Sequence, residues 1–366
     1  MNKNNNILFI LHYPPPVHGA AVVGQQIIDS KLINNTFKCR YINLSTSKNV
    51  GEIGSGGFIK LWRFFTINIR VLYALLFFNP KLVYITLTAK GGGFYKDSFI
   101  VFLVKLFRKK IVFHFHNKGV ALNQNNRKDN WLYKRVFNNT KSILLSKYLY
   151  YDIERYVKED DVYYCPNGIS NRNIKFDKQQ NNTPPNLLFL SNLIETKGVY
   201  VLLYACKILI EKGVEFTCNI VGGEGDISVF ELENKIHNIN LQNKVFYLGK
   251  KYGDEKDKIF KQSDIFIHPT FNDCFPLVIL EAMQYRLPVI STSEGAIPEI
   301  IEDGFNGFIV EKKDAMQLAE KIEFLINNTH VRYQMGQNGY KRFKENYTIE
   351  KFEQNFVKIL EQILQE

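Results

Sequence analysis

Nine short apolar runs, separated by amphipathic stretches, restrict this chain to one broad class of fold. Ile7–Leu11, Leu82–Leu87, Ile111–Phe115 and Ser142–Ser146 lie in the first half. Asn186–Leu190, Thr217–Val221, Val245–Leu248, Ile265–His268 and Pro288–Ser291 repeat the scheme in the second. Such runs suit buried strands, and the stretches between them suit helices laid on a parallel sheet. Asn171 to Pro185 is polar, lacks periodicity and ends in Pro184-Pro185, which marks the domain boundary. The expectation is an α/β chain of two doubly wound, Rossmann-like domains facing a cleft, with ligands at the carboxyl ends of the strands. The first domain is drawn at 1–175 and the second at 176–345. A last segment, 346–366, carries Phe352, Phe356, Ile359, Leu360 and Ile363 at helical spacing.

The length of 366 residues fits two domains, and a hydrophobic content of 45% is ample for two cores. A net charge of +11 calls for a partner of opposite sign: nucleic acid, an anionic membrane surface or a phosphorylated ligand. The five cysteines, Cys39, Cys165, Cys206, Cys218 and Cys274, are scattered and odd in number. That pattern fits a reducing compartment, without a disulfide framework or zinc site. Ile7–Leu11 is too short for a signal peptide's apolar region, and no stretch reaches roughly 18 uninterrupted apolar residues. The expected location is the cytoplasm.

The chemistry concentrates between His268 and Val310. Asp273 and Glu281 lie eight positions apart across a predicted helix start, and Pro276 is placed in its first turn. The amides of Leu277 and Val278 are then free to meet an anion, helped by the helix dipole. A phosphate at that end with an acid on either side is what a nucleotide-sugar needs. Cys274 beside Asp273 is read as a small loop residue, not a nucleophile.

Here the sequence resembles the retaining glycosyltransferases of family 4, which have the two-domain GT-B fold. Their signature reads E-G-F-G-x-x-x-x-E-A-M, then G-x-P-V-I, G-G-x-x-E and D-G-x-x-G. Asp273, Phe275, Glu281, Ala282, Met283, Pro288, Val289, Ile290, Gly295, Glu299, Asp303, Gly304 and Gly307 match in order. Asp273 replaces the first Glu, and Pro276 replaces the second Gly of the loop.

The resemblance extends over nearly the whole chain. Ser191 to Gly198 is similar to the family's G-R-L-x-x-x-K-G, which implies that Lys197 holds the diphosphate. Asn192 stands where the family has Arg, so it donates a hydrogen bond without charge. Ile220 to Gly225 looks like the family's V-G-x-G turn, which places Gly223 on the donor side, and Val245 to Lys250 resembles V-x-F-L-G, which adds Gly249 and Lys250. In the first domain the loop His12 to Ala20 is similar to the one carrying a Gly-Gly pair, of which Gly19 matches. His116 matches the active-site histidine. His114 shares its strand face and is read as a core residue, since a two-His metal site has no evident third ligand. The resemblance implies no metal and no cofactor, and a final helix that crosses back to the first domain.

Phe58 to Phe78 and Phe94 to Lys110 mix basic and aromatic residues. They read either as helices in a membrane interface or as buried helices with snorkelling cations. Single-stranded nucleic acid is disfavoured because no recognition motif accompanies them. Lys60, Trp62, Arg63 and Lys118 are assigned to the acceptor or membrane face.

The expected function is therefore transfer of a hexosyl or N-acetylhexosaminyl group from a nucleotide-diphosphate sugar to a lipid-linked or growing glycan at the inner membrane face. A UDP-sugar is favoured, and the resemblance implies retention of configuration. His116 and Asp273 are the catalytic candidates. Phe275, Leu277, Val278 and Glu281 complete the donor set. The rivals are a GT-B nucleotide-sugar epimerase and a non-enzymatic membrane or nucleic-acid binding module.

Overall fold

The computed structural model describes residues 5–15, 19–45, 58–172, 174 and 183–366. They divide into two compact units, Met1–Asn167 with Ile349–Glu366, and Gly168–Thr348. The first division falls at Asn167/Gly168, ahead of the expected 175/176. Much of the predicted linker, including residues 175–182, lies outside the described residues.

The first unit holds a parallel six-stranded sheet of β1 (Asn6–Leu11), β2 (Lys38–Asn43), β3 (Leu82–Ile85), β4 (Lys110–His114), β5 (Lys141–Leu144) and β6 (Val162–Tyr164), in the order β2-β1-β3-β4-β5-β6. The second holds β7 (Asn186–Leu190), β8 (Thr217–Val221), β9 (Val245–Tyr247), β10 (Ile265–His268), β11 (Val289–Thr292) and β12 (Gly307–Val310), in the order β12-β11-β10-β7-β8-β9. Every pairing is parallel, so helical crossovers must cover both faces. That explains why the central strands β3 and β10 are buried at every residue. In each sheet the order reverses beside the first strand, at β1/β3 and at β7/β10. Such reversals open a crevice at the carboxyl ends of the strands.

The sequence reading missed β2, β6 and β12, all three of which are sheet edges. β2 has only Ile42 buried and β6 no buried residue, so burial does not pick them out, whereas β12 is a short apolar run, GFIV, that the reading passed over.

Helix Ile349–Gln365 belongs to the first unit. Phe352, Phe356, Ile359, Leu360 and Ile363 join the core that contains Ile7, Phe9, Leu82 and Tyr84. Phe356 meets Phe9, Tyr84 and His114 at ring distances of 6.5, 5.4 and 6.0 Å. The second unit has its own core, from Leu187 and Phe189 through Leu202 to Ile322 and Met335.

Phe58–Tyr73 is an α-helix that continues as a π turn to Phe78 and is closed by Asn79 in the left-handed region. Contrary to the expectation from uninterrupted apolar runs, this helix is long and apolar enough to cross a bilayer by length and composition.

Candidate functional site

In the second unit the site grows from the crevice between β7 and β10. β7 runs into a tight turn, Glu195–Lys197, closed by Gly198 at φ 83°. A Cβ on Gly198 would lie 2.1 Å from the Pro269 carbonyl oxygen, so glycine alone lets this turn approach the end of β10. Lys197 Nζ consequently reaches Asp273 Oδ2 at 2.6 Å and the Asn272 carbonyl at 3.3 Å. Two residues the resemblance placed at the donor, one from each side of the crevice, are thus an ion pair.

Asp273 is enclosed by further groups. His268, the last residue of β10, places Nε2 3.3 Å from Asp273 Oδ2. Its Nδ1 is buried without a hydrogen-bond partner. The Asp273 amide donates to Glu294 Oε1 at 3.3 Å, and the buried Glu294 pairs with Lys312. Burial alone would raise the Asp273 carboxyl. The His268 hydrogen bond and the Lys197 ammonium outweigh it and hold the group well below the usual carboxylate range. Asp273 is therefore a fixed anion. Gly295, at φ 56°, lets the loop after β11 close over it, because a Cβ there would lie 2.5 Å from the Asp273 carbonyl oxygen and 2.6 Å from that of Cys274. The Ala296 amide seals this approach by donating to the Cys274 carbonyl at 2.8 Å.

The following helix is Leu277–Gln284, with Pro276 as its N-cap at φ −74° and ψ 102°. This corrects the placement of Pro276 inside the first turn: the helix begins one residue later. No side chain caps it, so the Leu277 and Val278 amides at its positive end are left for an anion. Glu281, one turn on, is half-buried and pairs with Lys256 at 2.8 Å. Phe275 is 7% exposed and packs edge-on against Tyr347 at 6.2 Å.

The loops after β7, β8 and β9 interlock beside this crevice. The Asn192 side chain accepts from the Gly223 amide at 3.3 Å, while the Leu193 amide donates to the Gly223 carbonyl at 2.7 Å. Lys250 lies along Gly223, where a Cβ would collide with its Cε at 1.8 Å. Gly249, at φ 71°, turns the chain toward Lys250, and its carbonyl accepts from the Gly222 amide. Asn192, Gly223, Gly249 and Lys250 are thus brought together. The Asp303–Gly307 part of the motif is structural instead: Asp303 accepts from the Ile309 amide and shapes the turn into β12.

In the first unit the carboxyl ends carry different chemistry. Gly19 is the first residue of helix Gly19–Asp29, with open space where a side chain would stand. Pro16, Val17 and His18 of the expected loop lie outside the described residues. His114 is wholly buried, 2.7 Å from the Tyr84 hydroxyl, and burial with the neighbouring His116 drives its pKa well down. It is a neutral core group. His116 is half-buried just beyond β4, its ring 4.2 Å from that of His114. The loop that follows, with Lys118 partly exposed, is pinned by Asp152, which accepts from the amides of Gly119, Val120 and Ala121. Among the described residues no group of three or more His, Cys, Asp or Glu could hold a metal ion. Lys60 is half-buried and Trp62 exposed on helix Phe58–Tyr73, with Arg63 partly buried beside them.

Sequence reasoning assigned no role to His268, Glu294, Lys256 or Lys312. His268 and Glu294 had a weak signal, a strand-terminal histidine five residues before Asp273 and an acid just before Gly295. Lys256 and Lys312 had none, because only the fold brings them to their carboxylates.

Residues 170–342, nearly the whole second unit, match the family described as glycosyl transferases group 1. An uncharacterized glycosyltransferase of Methanocaldococcus jannaschii is 29% identical over 252 residues, covering 68% of this chain and 67% of that protein. The capsular polysaccharide biosynthesis glycosyltransferase CapM of Staphylococcus aureus is 30% identical over 164 residues. That match covers 44% of this chain and less than half, 41%, of CapM. Among solved structures, a glycosyltransferase from Rickettsia africae superposes with a TM-score of 0.78 at 18% identity, covering all of both chains. HepE of Anabaena in complex with UDP gives 0.76 at 16% identity, covering 98% of this chain and 100% of that one. The two parallel sheets and these neighbours show the two-domain GT-B fold, and the second unit is similar to the glycosyl transferases of group 1.

Proposed function

We propose that the chain is a retaining, metal-independent hexosyltransferase of family 4 that takes its sugar from a nucleotide diphosphate, UDP by preference. The acceptor in this reading is a lipid-linked or growing cell-surface glycan. The enzyme works in the cytoplasm, on the inner face of the membrane. The observation that carries it is the Lys197–Asp273 pair across the β7/β10 crevice, beside the uncapped helix end at Leu277 and Val278. CapM's role in capsule synthesis and the UDP bound to HepE support the choice of substrate class.

Lys197 has three donor hydrogens and uses two on Asp273 and Asn272, which leaves one for a phosphate oxygen. That cation and the Leu277 and Val278 amides balance charge as it builds on the departing diphosphate, the task a metal performs elsewhere. Asp273, fixed as an anion, accepts from sugar hydroxyls, and Glu281, held by Lys256, accepts from the ribose. The acceptor oxygen bonds to the anomeric carbon on the face from which the phosphate oxygen leaves. Its proton passes to that phosphate. His116 orients the sugar or the acceptor.

The test is a thermal-shift panel of UDP- and GDP-sugars, followed by incubation of the stabilising donor with and without lipid-linked acceptors. A donor-dependent rise in melting temperature and acceptor-dependent nucleotide release are expected. An epimerised donor formed without acceptor would overturn the reading, and so would the absence of any donor that stabilises the chain.

A further inference from the structure

The first unit carries a strongly basic, aromatic surface. Between Phe58 and Lys110 there are ten basic residues and one acid, Asp97, so nine of the chain's formal net charge of +11 fall in this segment. Asp97 is fully buried, which leaves the exposed part of the segment without a negative side chain. Its two helices, Phe58–Tyr73 with the π turn to Phe78 and Gly91–Leu106, pack side by side, and Phe64 meets Phe99 edge-on at 5.8 Å. The inner stripe of the first helix, Ile67, Val71, Ala74 and Leu75, is buried. The outer stripe is bare. Trp62, Phe65, Ile69 and Phe77 are all more than half exposed, and Phe99 and Leu106 extend the patch at 58% and 78%.

A depression of about 500 Å³ opens at the foot of the same helices, at the amino ends of β1, β3 and β4. Lys81, Arg108, Lys109 and Lys110 line it, with no carboxylate in its wall. Lys81 and Lys109 donate to the amide oxygens of Asn5 and Asn79, and Lys110 to the carbonyls of Ile363 and Leu364. These partners are uncharged and orient the cations, while Lys110 also faces the Glu366 carboxylate and helps to lower its pKa. On β2, Lys38 and Arg40 stand over the rings of Phe78 and Tyr73 at 5.9 and 5.0 Å, adding charge to the border of the apolar stripe. The depression lies at the opposite end of β4 from the His116 loop.

We infer that this face rests on an anionic bilayer, its apolar stripe in the interface and the Lys81–Arg108–Lys109–Lys110 depression seating a phospholipid phosphate. Apolar patches of this size on a chain surface mark a contact. A large excess of cations over acids around aromatic residues selects an acidic lipid surface over a protein partner, because lipid supplies both hydrocarbon and phosphate. The helix lies flat instead of crossing: a span would strip Ile67, Val71 and Leu75 from the sheet they cover and carry Arg70 into hydrocarbon. The inference deepens the membrane part of the reading above, but it involves no donor, so the two fail separately.

The experiment is flotation of the purified full chain with vesicles of phosphatidylcholine alone or mixed with phosphatidylglycerol, in low and high salt. Binding to the acidic vesicles only, weakened by salt, is expected. Each juxtamembrane cation contributes about fivefold to partitioning. Lys81→Gln with Arg108→Gln and Lys109→Gln should therefore lower it about a hundredfold, whereas glutamine at the exposed Lys207, Lys261 and Lys344 of the second unit should not. Phe65→Ser with Leu106→Ser should weaken binding at both salt concentrations. Circular dichroism and donor-induced thermal shift keep misfolding apart from lost docking. Equal binding to neutral vesicles would overturn the proposal, as would a triple variant that partitions like wild type. Resistance of membrane-bound chain to an alkaline wash would overturn it in favour of a span. Stabilisation by free glycerol phosphate with no vesicle binding would make the depression a soluble-anion site and overturn it too.

Discussion

The carboxyl ends of the two sheets are furnished differently. In the second unit they are ionic and internally compensated: Lys197 with Asp273, Lys256 with Glu281, and Lys312 with Glu294. In the first they carry fewer ion pairs, Lys96 with the buried Asp97 after β3, beside His114 and His116 at the end of β4 and a backbone loop tied by Asp152. The first unit also carries a basic aromatic face, with a depression whose wall holds Lys81, Arg108, Lys109 and Lys110 and no carboxylate. Paired charges at a crevice hold side chains in place for a small anionic ligand that inserts among them. Unpaired charges over an open face suit a large anionic surface.

The contrast is broken most directly at Glu281. Glu281→Ala should lower kcat/KM for transfer by more than about a thousandfold while leaving the circular dichroism spectrum unchanged. Near-wild-type turnover by the purified variant would remove the second unit's claim to the donor.

Phe356→Ala strikes the other unit. It empties a ring site shared by Phe9, Tyr84 and His114 and should cost the first unit about 3–5 kcal/mol in urea unfolding. Donor-induced stabilisation of the second unit should persist at mild urea. Loss of both together would mean that the units do not unfold separately.

Lys197→Met removes the cation but keeps the length of the side chain. It should reduce kcat by about 10²–10³-fold, the effect of deleting one charge-stabilising donor. A change in KM alone would reassign Lys197 to uniform binding. Gly295→Ala, which drives a Cβ toward the Asp273 and Cys274 carbonyls at a positive φ, should cost about 2 kcal/mol, read from the urea midpoint. An unchanged midpoint would show that this loop is not tightly packed on Asp273.

The smallest effect is a pH dependence. The folded-state pKa of Asp273 is depressed, so its contribution to stability is complete above the unfolded value of about 4 and is lost as the pH falls below it. Asp273→Asn should therefore flatten the acid limb of the stability curve. Parallel limbs for variant and wild type would show that Lys197 and His268 do not stabilise the anion.

Much of this was legible from the residues. Central strands such as Leu82–Ile85 and Ile265–His268 announce themselves as apolar runs, because parallel strands are buried on both faces. The edge strands Lys38–Asn43 and Val162–Tyr164 did not, since half-covered strands need no such run, while Gly307–Val310 is apolar but only four residues long. The Asp273–Glu281 spacing marked a helix start between two acids, and the stripe on Ile349–Gln365 marked a helix with one buried face. Which core that face enters could not be read from its spacing.

By itself, then, the sequence determined the α/β class, the two cores and the chemical types gathered at one helix start, because short-range patterns of apolar and polar residues carry that information. Only the tertiary structure decided that His268 and Lys197 converge on Asp273, that Lys256 reaches Glu281, and that Phe275 packs on Tyr347. Those contacts join residues that are distant along the chain or separated by a turn. Their geometry is fixed where the strand order reverses and loops from non-adjacent elements are forced into one crevice.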